Sequence, residues 1–157
     1  MIIGKSKKEL EKMRAAGRLA GQVREALRRM ARAGVTTLDL DRAAERMIRE
    51  AGALPTFKGY HGYPFSICAS VNEQVVHGFP SDYALKDGDI ISIDVGATLD
   101  GFVGDTATTV PVGKVSEDKL RLMSESARGE GGRVRVLRAD AGRRLQHAHH
   151  AVPERGP

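Results

Sequence analysis

At 157 residues, with one cysteine (Cys68), no tryptophan and 4% aromatic residues, the chain has room for one domain and its core but not for a disulfide framework, and the lone thiol suits a reducing, cytoplasmic setting. No apolar run is long enough to span a bilayer, and Ile2-Ile3 before Lys5 is too short for the core of a signal peptide, so a membrane partner is excluded. The formal net charge of +5 divides into +2 over residues 1–123 and +3 over residues 124–157, so basicity belongs mostly to the tail and is weak ground for nucleic acid.

Ser6-Lys-Lys-Glu9 is a capping box and starts a helix. Leu10, Met13, Gly17, Ala20, Val23, Leu27 and Met30 form its apolar stripe, and Gly34 is the expected stop. Arg24, Arg28, Arg29 and Arg32 suit the helix dipole as a solvated face; a basic face for ribosomal RNA is the other reading. A second helix opens at Thr36 or Thr37, with Asp39 and Asp41 in its first turn. Leu40, Ala44, Met47 and Ala51 mark its buried side, and Gly52 and Pro55 end it.

The segment from Phe57 to Pro80 carries dense chemistry. Gly59, Gly62 and Pro64 make Tyr60-His61-Gly62-Tyr63 a loop, Ser66 to Val71 reads as a strand, and Val75 to Gly78 as a short extended piece. Phe57, Tyr60, Tyr63 and Phe65 are over half of the seven aromatic residues, and aromatics beside a histidine suggest a pocket wall. A local hydrophobic cluster with His61 on its rim is equally consistent.

Ile90 to Val95 and Phe102 to Val110 are two strands, joined by turn residues at Leu99-Asp100-Gly101. Asp94 and Asp105 share a face because their separation is odd. A turn centred on Leu99-Asp100 sets them directly opposite, and one centred on Asp100-Gly101 sets them diagonally. Ile91, Ile93 and Val95 face the other way, towards a core. Two close carboxylates must share a proton, stay wet or hold a cation. A solvated hairpin face and a cation clamp both remain open on spacing alone.

A helix follows Val115, capped by Ser116, and Ala127-Arg-Gly-Glu-Gly-Gly132 is expected to break it. From Ser124 onward there is no Lys, Ile, Phe, Tyr, Asn, Thr or Met. This composition shift divides the chain into residues 1–123 and an Arg/Gly/His-rich tail of residues 124–157, read as disordered or as the translation of a shifted frame. His147-Ala-His-His150 reads as an adventitious chelator, and Pro153–Pro157 as a disordered end.

Tyr60-His-Gly-Tyr-Pro64, Val71-Asn-Glu-Gln-Val-Val-His-Gly-Phe-Pro80, Asp89-Ile-Ile-Ser-Ile-Asp-Val-Gly96 and Gly104-Asp-Thr-Ala-Thr-Thr109 resemble, in order and spacing, the bacterial type I methionine aminopeptidases. Lys8 to Gly17 resembles that family too, and the likeness runs from about Met1 to Met123.

The resemblance implies an α/β (α+β) pita-bread aminopeptidase fold, of which this is the amino-terminal half: two helices followed by a curved antiparallel sheet. It implies an enzyme that removes the initiator methionine of nascent polypeptides with two divalent metal ions (Co, Mn, Fe, Zn or Ni). Asp94 matches a carboxylate that chelates one metal and Asp105 a carboxylate that bridges both. His77 matches the catalytic histidine that hydrogen-bonds the scissile amide. Phe57, Tyr60, Tyr63 and Cys68 match the pocket for the methionine side chain. The family's remaining ligands, a histidine and two glutamates, and its oxyanion-stabilising histidine have no counterpart motif here, so the chain is expected to be incomplete or inactive. A monomer that works on nascent chains, with the ribosome as a contact, is the implied partner set. The alternative is a non-catalytic module of the same fold that contacts RNA or ribosomes.

Overall fold

The computed structural model describes residues 4–130 and 135–138. The first helix, α1 (Lys7–Met30), opens on the capping box: Glu9 N–H donates to Ser6 Oγ at 3.2 Å, and Ser6 N–H donates to the Glu9 carboxylate at 2.9 Å. Its buried face is Ala16, Gly17, Leu19, Ala20, Val23 and Leu27. Leu10 stays exposed, so the stripe is covered only from Ala16 onward. The helix ends on Ala31 rather than Gly34, which supplies a left-handed φ of +88° in the turn beyond.

The second helix, α2 (Thr37–Glu50), has its own capping box, Thr36 with Asp39. Its buried face is Leu40, Ala43, Ala44 and Ile48, whereas Ala51 is exposed. The apolar face is thus rotated from the one the spacing marked, because Ile48 packs inward where Ala51 does not. Asp41 also departs from the expected dipole role. It is 4% exposed, and its carboxylate accepts the backbone N–H groups of Ser66 (2.7 Å) and Ile67 (3.1 Å). Burial pushes its carboxyl up, opposed by those two hydrogen bonds.

The sheet is antiparallel throughout. Its strands are β1 (Leu54–Pro55), β2 (Ile67–Val71), β3 (Ile90–Leu99), β4 (Phe102–Pro111) and β5 (Arg135–Arg138). Along one edge β3 pairs with β1 and β2, and along the other with β4, which pairs onward with β5. Ile91, Ile93, Val95 and Ala97 of β3 are fully buried, in one core with Val23, Leu27, Leu40 and Ile48 of the helices. The alternation of β3 thereby leaves Asp94 on the opposite face. α1 approaches the sheet closely at Gly104, where a Cβ would overlap the carbonyl of Ala16. Among the described residues no helix is long and apolar enough to cross a membrane.

Asp89, 7% exposed, ties together the approach to β3. Its carboxylate accepts from Asn72 Nδ2 (2.8 Å), Tyr83 Oη (2.9 Å) and Lys86 N–H (2.8 Å). Burial pushes its carboxyl up, but these hydrogen bonds outweigh it and hold the group below the ordinary carboxylate range. Asp89→Ala strands three donors and should cost roughly 1–3 kcal/mol, read by urea unfolding at pH 7. Because the folded-state value is depressed, this stabilisation is present above the ordinary aspartate range and fades as pH falls through the lowered value. The gap between parent and variant should therefore close in acid.

The helix after Ser116, α3 (Glu117–Glu130), runs through Gly129 and ends at Glu130, inside the Ala127–Gly132 stretch expected to break it. β5, within the stretch read from composition as a disordered tail, pairs with the outer edge of β4. The remaining readings of the tail, including His147–His150 and Pro153–Pro157, lie outside the described residues.

Candidate active site

Two left-handed residues make the β3–β4 turn, Asp100 (φ +51°) and Gly101 (φ +81°), the pattern of a tight hairpin whose twist matches its strands. The closing pair is Leu99 with Phe102, so Asp94 stands opposite Ala107 and Asp105 opposite Gly96. This is the diagonal arrangement of the two expected. The carboxyl groups still meet. The Asp94 carboxyl is pushed up to about 7, first by burial, then by the charge of Asp105 and by the hydrogen bond between the two groups. At neutral pH such a pair is satisfied by a shared proton or by a cation.

The face around them is not an open hairpin surface. A Cβ at Gly96 would lie 2.7 Å from Phe57 Cε1 and 2.9 Å from Thr56 Cβ. Gly96 thus admits the Phe57 ring beside Asp105. Cys68 is the register partner of Asp94 and is 7% exposed. Burial pushes its thiol up to about 11; contact with the Tyr63 hydroxyl opposes this, and the charges of Asp94 and Asp105 add to it. Tyr63 donates its hydroxyl to Ile67 O (2.8 Å), and burial, then contact with Cys68, drives its phenol well above the ordinary value. The Tyr63 ring meets Phe65 (6.0 Å) and Phe79 (5.1 Å) edge-on. Asp94, Asp105, Cys68, Tyr63 and Phe57 therefore gather on one face of the sheet.

Tyr60 and His77 come from flanking segments. Tyr60 opens a short 3₁₀ turn (Tyr60–Gly62), with its ring edge-on to His61 at 4.4 Å. His77 is exposed and takes a left-handed φ of +56° immediately before Gly78, which is fastened to β2. Sequence reasoning passed over Phe79 and Gly96. A glycine ending the β-branched run of β3 was the available signal for a close approach at Gly96.

The arginines of α1 are largely engaged. Arg28 and Arg29 grip Glu25 at 2.8 and 3.1 Å and hold its carboxyl down to about 2, while Arg24 donates to Thr106 Oγ1 at 3.0 Å. Among the described residues no three His, Cys, Asp or Glu side chains cluster as a metal site. What the site offers a cation is a pair of hard oxygen donors.

The raised, buried thiol carries its own test. Against an ordinary thiol near 9, a value of about 11 lowers the thiolate fraction about a hundredfold. Alkylation of Cys68 by iodoacetamide at pH 7.5 should be slower than that of free cysteine by at least this factor and should recover in urea. Reaction at the free-thiol rate in the folded chain would show that the pocket is open.

Residues 11–153 match the model of metallopeptidase family M24. The match runs well past Met123, where the recognisable motifs end. Methionine aminopeptidase 1 of Bacillus subtilis is 47% identical over 154 residues, 97% of this chain and 60% of its own length. A methionine aminopeptidase of Clostridium perfringens is 50% identical over a shorter stretch of 123 residues, 78% of this chain and 49% of its own length. In structure, the methionine aminopeptidase of Rickettsia prowazekii superposes with a TM-score of 0.78 at 39% identity, over 83% of this chain and 54% of that one. The chain thus spans about half to three-fifths of the length of these relatives.

Proposed function

Because the chain belongs to metallopeptidase family M24, we propose that it carries the first half of a methionine aminopeptidase site, built to remove the initiator methionine from nascent polypeptides. The supporting observation is the Asp94–Asp105 pair, whose carboxyl groups meet in a partly buried setting that drives Asp94 up to about 7. A pair that destabilises its own charged state is poorly explained by folding alone and well explained by a cation. The donor set fits a hard divalent ion through two carboxylates, and the described residues hold no third ligand beside them. A bound divalent cation supplies Lewis acidity and lowers the pKa of water.

The chain's own residues have distinct tasks in this reading. Asp94 and Asp105 hold the metal. Phe57, Tyr60, Tyr63 and Cys68 wall a pocket for the methionine side chain, whose thioether packs well against rings and a neutral thiol. Because the Cys68 thiol and the Tyr63 phenol are both driven upward, this wall stays uncharged at neutral pH and suits an apolar side chain. His77 orients the scissile amide as a hydrogen-bond partner.

We further infer a cytoplasmic monomer that meets nascent chains, with the ribosome as a contact. The engagement of Arg24, Arg28 and Arg29 within the fold gives a purely RNA-binding reading no observation of its own. We also place the boundary of the half-domain near Met123, supported by the change of composition there. Resequencing the gene past that codon tests the boundary, with a second frame encoding glycine-histidine and glutamate motifs as the expected result. The site assignment is tested by isothermal titration with Mn²⁺: the chain should bind, and Asp94→Asn and Asp105→Asn should each abolish binding.

A further inference from the structure

We propose that Ser70 is a positioning residue for His77, acting through a one-residue strap on the edge of β2 away from β3. The proposal rests on the reading of His77 given above. Opposite its pairing with β3, β2 is met by Gly78: Ala69 N–H donates to Gly78 O at 2.9 Å, and Gly78 N–H donates to Ser70 Oγ at 3.0 Å. The Tyr63 hydroxyl lies 3.5 Å from the same Gly78 carbonyl. Gly78 is buried, and a Cβ there would overlap Ala69 O and come within 2.7 Å of Ser70 Cα. The strap therefore sits closer to the strand than any other residue type allows.

Ser70 is suited to the task by its surroundings. It is 4% exposed, so its hydroxyl has little recourse to water. Its register partner Ser92 already shares a hydrogen bond with Thr109 at 2.9 Å, which leaves the Ser70 oxygen to Gly78. His77, one residue earlier, takes a left-handed φ of +56°, a conformation uncommon outside glycine, asparagine, aspartate and histidine. The two residues before it, Val75 and Val76, are 86% and 63% exposed, and the residue after it, Gly78, is fastened to β2. Two residues along β2 from Ser70 lies Cys68, the partner of Asp94. The strap thus ties the backbone next to His77 to the strand that carries the partner of Asp94.

The test uses NMR of the full 157-residue chain, with Ser70→Ala, Ser70→Thr and a titrated Met-Ala-Ser amide. In Ser70→Ala the Gly78 amide should exchange at least about tenfold faster. The His77 ring resonances should move, and the shift that the peptide induces at His77 should shrink. The Asp94 and Asp105 carboxyl resonances should stay in place, and Ser70→Thr should restore both Gly78 and His77. Unchanged Gly78 and His77 signals in Ser70→Ala overturn the proposal. So does a change spread over the whole spectrum that threonine does not reverse, because that is the mark of a purely structural serine. A peptide that moves no His77 resonance in the unsubstituted chain overturns the reading of His77, and the proposal with it. That failure is recognisable because it appears before any substitution is made.

Discussion

Gly104→Val should collapse the fold, with a loss of more than about 3 kcal/mol. The cause is steric: a Cβ at this position would overlap the Ala16 carbonyl and crowd Gly17 N. Helix α1 would have to lift off the sheet, and the core shared by Val23, Leu27, Ile93 and Val95 would open with it. Backbone against backbone leaves no flexible side chain to yield. For a chain of this size the loss corresponds to a fall in Tm of roughly 10 °C. Gly101→Ala is the matched control. Gly101 has open space around it and only a positive φ to lose, so its cost should be about 1–2 kcal/mol. Thermal unfolding of the two variants beside the parent separates close packing from backbone freedom. Equal losses would mean that the contact of α1 with β4 is not where the fold is tight.

A polypeptide of these 157 residues should not release methionine from a peptide at a useful rate. Its described residues bring the carboxyls of Asp94 and Asp105 together and hold no group of three or more His, Cys, Asp or Glu that could bind a metal. A general acid–base group is typically worth about 10²–10⁴-fold, and an oxyanion donor about 10²–10³-fold. By the reading proposed here, both reside in the part of the relatives' length that this chain does not span. Incubation with Co²⁺ or Mn²⁺ and a Met-Ala-Ser peptide reads this directly. Metal-dependent release of methionine that Asp94→Asn abolishes would show that the site is completed after all, whether by the tail or by a second copy.

Much of the architecture was legible from residue pattern because local chemistry and fold agree. The capping box of Ser6 with Glu9, a turn within Leu99-Asp100-Gly101 and the inward face of Ile91, Ile93 and Val95 follow from short-range rules, whereas the second capping box, Thr36 with Asp39, went unread because Asp39 was assigned to the helix dipole. The register of the hairpin was narrowed to two options, and the left-handed pair Asp100-Gly101 selects the diagonal one. Asp41 was misread because an acid in the first turn of a helix ordinarily serves the dipole. Its actual task, receiving the N–H groups of Ser66 and Ile67, is a contact across more than twenty residues that no local pattern displays. Gly78 and Ser70 were invisible for the same reason. The helix after Ser116 ends at Glu130, within the Ala127–Gly132 stretch expected to break it; the single Gly129, at about 1 kcal/mol, is tolerated inside its last turn.

The central claim, that Asp94 and Asp105 are kept together to hold a cation, is tested most directly by calorimetric titration of Mn²⁺ into four proteins. These are the parent chain, Asp94→Asn, Asp105→Asn, and a variant in which His147, His149 and His150 are all alanine. The account predicts one weak site in the parent that survives loss of the three histidines and disappears with either asparagine substitution, while Asp94→Asn, relieved of its repelling neighbour, folds at least as stably as the parent without metal. Binding that persists in both asparagine variants and vanishes with the histidines would contradict it, and would reduce the carboxylate pair to a hairpin face that happens to carry two acids.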